Sequence, residues 1–206
     1  MSDQVRRESP LAELLASPRE ADSATGVGVQ MWELPFLGHV NLRGDPSEER
    51  FLKAVEGAIG VALPLEPNTV VEGGEISALW LGPDEWLLLT PPDRQREVVP
   101  TLKAALGDTF AAVNDLSGGQ TAIRIQGTHA RDVLNKGCPL DLHPRVFGQG
   151  QCAQSHIAKT MALIRQIDDT PTYDVIVRRS FADYLARWLE EAAQEYGLAV
   201  IAEPPT

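Results

Sequence analysis

The sequence predicts an α+β fold with largely antiparallel sheets, built from two pseudo-repeated units of strand, helix, strand, strand and helix. Strand-like and helix-like hydrophobic patterns alternate along the chain. Short turns join several of the predicted strands, and strands connected as hairpins are antiparallel. A Pro-Leu-acid segment follows the first helix of each half, as "ALPLEP" (62–67) and "GCPLDLHP" (137–144). Packing the helices on such sheets predicts a two-layer architecture.

The elements of the first half follow from local signals. Residues 27–44 read as two strands separated at Pro35, and residues 45–60 as a helix that ends at Gly60. The segment "LWLGPDEWLLL" (79–89) is a hairpin with a tryptophan on each side of its turn. A second helix is expected over 93–107, where Pro100 is an internal defect.

The second half repeats this order. A strand is predicted at 121–127, a helix at 128–138 with Thr128 as its cap, and strands within 151–168 and 172–179. The last helix, 180–197, is capped by Ser180 in this interpretation and ends at Gly197. Its apolar stripe consists of Phe181, Tyr184, Leu185, Trp188, Leu189 and Ala192.

Residues 1–26 form a separate polar, proline-punctuated segment. It offers at most one short helical turn, around Leu11, Leu14 and Leu15, and too little sequence to bury these leucines within its own fold. We therefore expect a partner chain to order the segment and to contact the three leucines. Residues 27–206 make up one domain, with pseudo-repeats at about 27–112 and 113–202.

Composition excludes several classes of protein. The 206 residues include 18 Lys and Arg against 29 Asp and Glu, a formal net charge of −11, which argues against a nucleic-acid partner. No apolar run approaches the ~20 residues of a membrane span, and no secretory leader pattern opens the chain. Two cysteines are too few for a disulfide scaffold. A cytoplasmic protein without membrane contact is expected.

A search for catalytic motifs predicts no catalytic and no cofactor-binding residue in this chain. The sequence lacks the glycine-rich phosphate loops of nucleotide-binding proteins and the G-x-S-x-G of hydrolases. In "DLSGG" (115–119), the spacing of Asp115 and Ser117 suits a turn in which the side chain of Asp caps the backbone.

Zinc is the strongest metal alternative. Cys138, His143, Cys152 and His156 are the residue types that bind zinc. On a strand, however, Cys152 and His156 lie about 13 Å apart at ~3.3 Å per residue, whereas ligands of one tetrahedral ion need donor atoms within about 4 Å of each other. Buried thiols are the competing interpretation, and no metal ligand is predicted.

Two features are typical of protein contacts. The segment 138–147 combines Asp141, His143, Arg145 and Phe147 between prolines, which suits an interface rim, although a loop folded back on its own domain is equally consistent. Trp80 and Trp86 fit either a core position or an interface.

Four motifs carry a family resemblance. "ALWLGPDEWLLL", "VLNKGCPLDLHPRVF", "CAQSHIAKT" and "RSFADYLARWLEEAAQEYG", in this order, resemble the gamma-subunit family of heterotetrameric sarcosine oxidase. More distantly, residues 113–134 are similar to aminomethyltransferases, through Asp115, Ser117, Gly127, Ala130 and Leu134. The folate-binding domain of that family is a duplication, which agrees with the pseudo-repeat.

The resemblance implies a structural, non-catalytic chain in a complex with alpha, beta and delta subunits. Such complexes oxidise sarcosine with oxygen to glycine and hydrogen peroxide and release the one-carbon unit as methylenetetrahydrofolate or formaldehyde. FAD, FMN, NAD, zinc and tetrahydrofolate belong to the other subunits in this family. The folate domain of the alpha chain is the implied main contact.

Two alternatives stay open at this point. One is a free-standing folate-binding or aminomethyl-transferring protein. The other is an assembly factor of the same fold, whose relatives carry K-G-C-Y-x-G-Q. Here Pro139 follows Lys136, Gly137 and Cys138, so that motif breaks after three residues.

Overall fold

The computed structural model describes residues 7–14, 18–19 and 26–201, which form two β-sheets and four α-helices. The six-stranded sheet contains, in spatial order, β11 (Leu198–Val200), β1 (Val29–Leu34), β7 (Gln120–Gln126), β10 (Thr172–Arg178), β9 (Thr160–Asp168) and β8 (Cys152–Ile157). The five-stranded sheet contains β3 (Val70–Gly73), β4 (Ile76–Gly82), β5 (Glu85–Thr90), β2 (Gly38–Gly44) and β6 (Ala111–Asp115). The helices are α1 (Glu49–Ile59), α2 (Gln95–Leu106), α3 (Ala130–Asn135) and α4 (Ala182–Ala193).

The layers are helices, sheet, sheet, helices. Helices α1 and α2 cover the outer face of the five-stranded sheet, and α3 and α4 cover the outer face of the six-stranded sheet. Between the sheets lies a third apolar cluster, which includes Leu79, Leu87 and Leu89 from one sheet and Leu163 and Ile176 from the other. The α+β class with antiparallel sheets is confirmed.

The predicted two-layer arrangement is wrong for the molecule as a whole. Each sheet buries both of its faces, as β5 shows: Trp86 and Leu88 face the helices, while Leu87 and Leu89 face the other sheet. A strand that is apolar on both faces needs cover on both sides. The two halves therefore stack sheet against sheet.

The two pseudo-repeats interlock through their first strands. β1 precedes β2 in the chain but pairs with β7 in the other sheet, and β6 precedes β7 but pairs with β2. The order β3-β4-β5-β2-β6 in one sheet corresponds to β8-β9-β10-β7-β1 in the other. Among the described strands, all pairs are antiparallel except β1 with β11. Neither unit completes its sheet without the other.

The helix ends differ from the predicted caps. α3 begins after His129 and α4 after Phe181, so Thr128 and Ser180 do not cap them as predicted, and neither helix has a side-chain cap. α1 ends at Gly60 as predicted, with a left-handed φ of 71°. None of the helices in the described part is long and apolar enough to cross a membrane.

Pro100 lies inside α2, which continues through it as one helix. Proline removes one helix hydrogen bond. The Pro100 side of α2 is exposed, so water can reach the carbonyl that loses its partner. The tertiary packing of Val98, Leu102 and Leu106 then stabilises the helix despite the defect.

Candidate functional site

The loop of residues 138–147, here called the contact loop, is anchored at both ends and at Leu142 in its middle, and it exposes polar side chains between these anchors. Cys138 and Phe147 are buried in the core beneath α3 and α4, whereas Asp141, His143 and Arg145 are exposed. The Asp141 carboxylate accepts a hydrogen bond from the backbone N–H of His143 at 2.9 Å, and His143 Nδ1 accepts one from the N–H of Arg145 at 3.2 Å. The loop is thus ordered by its own turns, and Asp141, His143 and Arg145 remain accessible to solvent.

Two residues that were predicted to contact a partner chain are instead buried within this domain. Phe147 is 6% exposed and Leu11 is 0% exposed, and both pack within the domain's own core. The premise that the N-terminal segment cannot bury its leucines is therefore wrong for Leu11. Leu14 is partly buried against the same core, and Leu15 lies outside the described residues.

A buried carboxylate explains how the N-terminal segment reaches the core. Glu33, on β1, accepts hydrogen bonds from the hydroxyls of Ser9 and Thr121. The Ser9 hydroxyl oxygen also accepts the backbone N–H of Leu11 at 2.9 Å, which closes the turn. Arg179 donates to the carbonyl of Glu8 at 2.7 Å. The signal in the sequence is an acidic residue at a core-facing position of an apolar strand, where a buried charge requires partners.

The two tryptophans lie directly opposite each other on β4 and β5, and hence on one face of the sheet. Trp86 is fully buried and donates its indole N–H to the carbonyl of Pro64 at 2.8 Å. Its ring centroid lies 5.8 Å from that of Phe51 on α1. Trp80 is only half-buried. Trp86 is therefore a core residue, and Trp80 retains an accessible surface.

The most buried charge among the described residues is Asp174, which lies between two arginines on neighbouring strands. Arg124 donates to both carboxylate oxygens, at 2.6 and 2.9 Å, and Arg165 donates to Oδ2 at 2.9 Å. Arg165 also reaches across to the other sheet and donates to Ser77 Oγ at 3.0 Å. Burial opposes the charge of Arg124, but its hydrogen bonds and attraction to Asp174 prevail and raise its pKa.

This triad links the sheets and has the geometry of a structural ion group. Its carboxylate is saturated by guanidinium donors and is 0% exposed, so it has no free oxygen for a substrate. Sequence reasoning missed it. The available signal was a single charged residue within each of three otherwise apolar strands, "TAIRIQ", "ALIRQI" and "TYDVIV".

The residues shared with the aminomethyltransferase pattern have structural roles here. Ser117 donates both its backbone N–H and its hydroxyl to Asp115, at 2.9 and 2.5 Å, which confirms the predicted turn. Gly127 has a φ of 127°, and a Cβ there would lie 2.4 Å from the carbonyl oxygen of Gly28. Ala130 and Leu134 are fully buried. The pattern fixes the entry to β7 and the start of α3.

The structure does not bring the four candidate zinc ligands together. Cys138 belongs to the core on the helix side of the six-stranded sheet, and Cys152 lies between the sheets. His143 and His156 are exposed. Burial raises the pKa of the Cys152 thiol to about 11. Within the described ranges, no group of three or more His, Cys, Asp and Glu side chains is arranged to hold a metal ion.

A cavity of about 340 Å³ opens between the sheets near the start of β7. Its polar lining is largely engaged within the protein: Asn41 donates to Glu85 at 2.8 Å, and Gln154 donates to the carbonyl of Leu81 at 2.9 Å. Arg178 and Gln120 complete its polar side. The cavity brings together no nucleophile with a base, and it was not predicted from the sequence.

A model described as the sarcosine oxidase gamma subunit family matches residues 43–195. The gamma subunit from Corynebacterium sp. (strain U-96) is 34% identical over 98% of this chain and 96% of its own length. The gamma subunit from Corynebacterium sp. (strain P-1) is 36% identical with the same coverage. The chain belongs to the sarcosine oxidase gamma subunit family.

Solved structures agree with this membership. A chain of the heterotetrameric sarcosine oxidase from Corynebacterium sp. U-96 superposes with a TM-score of 0.83 at 31% identity, covering 97% of this chain and 99% of that chain. The glycine cleavage system aminomethyltransferase T from Bartonella henselae superposes with a TM-score of 0.62 at 14% identity, over 86% of this chain and 48% of that chain. The second similarity shows the shared fold. The contact loop and the triad of Arg124, Arg165 and Asp174 both lie within residues 43–195, the part of the chain that the family model matches.

Proposed function

We propose that this chain is the structural, non-catalytic gamma subunit of a heterotetrameric sarcosine oxidase, assembled with alpha, beta and delta subunits in the cytoplasm. The observation that carries the proposal is the superposition over nearly the full length of both chains with a chain of such a heterotetramer. The complex would oxidise sarcosine with oxygen to glycine and hydrogen peroxide. Its one-carbon unit would leave as methylenetetrahydrofolate or, without tetrahydrofolate, as formaldehyde.

The non-catalytic role is supported by how the polar groups of the chain are used. The carboxylates of Glu33 and Asp174 are engaged in holding the N-terminal turn and the two sheets. Asp115 and Asp141 cap turns. In the proposal, FAD, FMN, NAD, zinc and tetrahydrofolate are bound by the other subunits. For the dinucleotides, this agrees with a sequence that carries no glycine-rich pyrophosphate loop.

The contact loop is the proposed contact with the folate domain of the alpha subunit. Asp141, His143 and Arg145 are exposed, and the turns that order them reduce the entropy that would be lost on binding. Arg145 can pair with a carboxylate through two parallel hydrogen bonds. Leu14 keeps part of its surface accessible at the same core, and we propose it together with Leu15 as neighbouring contacts. Leu11 and Phe147 support these contacts from within the domain.

Co-purification tests the proposal. We expect the tagged chain to recover two larger flavin-bearing chains and one smaller chain from its native source. The Arg145→Ala variant should recover less of them, because a charge pair in an interface is lost. Arg187→Ala, which removes an exposed arginine paired within α4, is the matched control and should recover the full set. A chain that purifies alone and retains folate would favour the free-standing folate-binding protein instead.

A further inference from the structure

Within the described part of the chain, one strand position is filled in the six-stranded sheet and open at the equivalent place in the five-stranded sheet. β1 and β6 occupy equivalent places, with Met31 opposite Ile125 in one sheet and Val113 opposite Leu42 in the other. β1 has a second neighbour, β11, which runs parallel to it. Among the described residues, β6 has no second neighbour and forms the free edge of the five-stranded sheet.

The backbone groups at this free edge can be assigned. The N–H of Leu116 donates to the carbonyl of His39 at 2.8 Å, while Gly44, opposite Ala111, donates to Asp84 on its other side at 3.1 Å. Bonded and non-bonded residues alternate along an antiparallel pair. The N–H and C=O groups of Ala111, Val113 and Asp115 therefore point away from β2, towards the open position.

The equivalent groups on β1 are the ones that bind β11. Val29 donates to the carbonyl of Gly197 at 3.1 Å, and Met31 accepts the N–H of Ile201 at 2.9 Å. Val29 and Met31 face the helices with their side chains, as Val113 does in the other sheet. The molecule thus contains a filled example of the position that is open at β6.

An apolar groove of about 800 Å³ begins where the free edge begins. It is lined by Pro46, Pro83, Ala111 and Phe110, whose side chain is 94% exposed. An exposed phenylalanine beside unpaired strand backbone is a liability unless a partner covers it.

The groove also has a charge preference. The carboxylates of Asp45 and Asp84 are exposed at its rim. The guanidinium of Arg43 lies in the same groove but is paired with Glu85 at 2.5 Å. A segment that enters the groove is therefore favoured if it brings a basic side chain to the two aspartates.

We propose that an extended segment of another subunit of the heterotetramer adds to β6 as a parallel strand, as β11 adds to β1. The segment places an apolar side chain on Phe110 and a Lys or Arg near Asp45 and Asp84. Main-chain pairing provides affinity, and the groove provides specificity, as in other cases of strand addition. This inference rests on the proposed function, because that function supplies the partner.

Two variants test the added strand in the co-expressed four-chain complex. Phe110→Asp changes an exposed side chain, and Ala111→Pro removes an outward N–H at an edge position that tolerates proline. We expect each to lower recovery of the partner subunits at least tenfold. Leu65→Asp, at a leucine that is 56% exposed elsewhere, is the matched control and should leave recovery unchanged. If Ala111→Pro lowers the melting temperature of the chain, its loss of partners could come from unfolding, and the result with Phe110→Asp then tests the added strand alone.

Amide hydrogen exchange of the wild-type complex provides an independent measurement. The N–H groups of Ala111, Val113 and Asp115 should exchange slowly, because the added strand accepts their hydrogen bonds. Rapid exchange, full recovery with Phe110→Asp, or a symmetric dimer of this chain through β6 would each overturn the inference. If the wild-type chain recovers no partner at all, the proposed function itself fails, so the two failures are distinguishable.

Discussion

Asp174 illustrates how one residue holds two layers together. It is fully buried and is balanced by Arg124 and Arg165, and Arg165 extends the contact to Ser77 in the other sheet. Removing one member of a buried charge group leaves the remaining charges without compensation. The intact triad contributes little net free energy to stability, but a variant that lacks one member would have unpaired buried charges and would be strongly destabilised.

We predict that Asp174→Asn lowers the free energy of unfolding by about 3–5 kcal/mol, because two guanidinium groups lose their counter-charge. Urea unfolding of the recombinant chain measures this. Asp183→Asn is the matched control: it breaks a solvent-exposed pair with Arg187 and should leave the free energy of unfolding almost unchanged. Equal losses in the two variants would contradict the structural role of the triad.

A second prediction concerns pH and His39. Burial lowers the pKa of this histidine from 6.5 to about 4, although its Nδ1 donates to the carbonyl of Leu37 at 3.0 Å. Nε2 is buried and has no hydrogen-bond partner within the described part of the chain. The folded state therefore favours the neutral ring. The contribution of His39 to the free energy of unfolding is complete above pH 6.5 and is lost as the pH falls towards 4.

The expected loss of unfolding free energy over that range is about 3 kcal/mol from this residue. The difference between wild type and His39→Gln, followed by urea unfolding from pH 7 to pH 4, isolates it from the carboxylates. His156→Gln, at an exposed histidine, is the matched control for replacing an imidazole with an amide side chain. A His39→Gln profile parallel to that of the wild type would show that His39 does not titrate in this way.

Contacts between individual side chains were the feature that the sequence predicted least well. The turn at Asp115 and Ser117 was predictable because its two partners are adjacent in sequence. Arg124 and Asp174, or Ser9 and Glu33, are far apart in the chain, and only the strand register brings them together. Leu11 was misplaced for the same reason: its burial depends on β1, α4 and the second unit.

At the scale of elements, the N-terminal turn behaves as part of the domain. We predict that Leu11→Ala lowers the free energy of unfolding by about 2–5 kcal/mol, as expected for a leucine in a packed core. Ala12→Ser, at the exposed neighbouring position, should change it little. Thermal or urea unfolding decides. A Leu11→Ala variant as stable as the wild type would show that the turn is only loosely attached and restore Leu11 as a partner residue.

Strongly patterned elements were predictable, and weakly patterned ones were not. The strands β4 and β5 of the tryptophan hairpin, together with α1 and α4, carry clear periodicity and lie where expected. β3 and β6 have four and five residues and too few apolar positions to be recognised. Their existence depends on neighbouring strands that offer backbone partners, which is a property of the sheet and not of the segment.

At the scale of the molecule, the sequence predicted the number of units but not how they combine. The duplicated Pro-Leu-acid segments and the repeated element order both indicated two units. The four layers follow from strands that are apolar on both faces, a feature that local periodicity does not distinguish from a buried helix segment. The exchange of β1 and β6 between the sheets left no signal in composition or spacing.

Size-exclusion chromatography with a sarcosine-dependent peroxide assay on every fraction tests the central claim most directly. We predict that in an extract of the native source the chain elutes with sarcosine oxidase activity, well above its own mass of 22.4 kDa. Any chain that elutes at 22.4 kDa should have no such activity. Elution of all the chain as an isolated monomer, or sarcosine oxidation by that monomer, would contradict the account of a non-catalytic subunit.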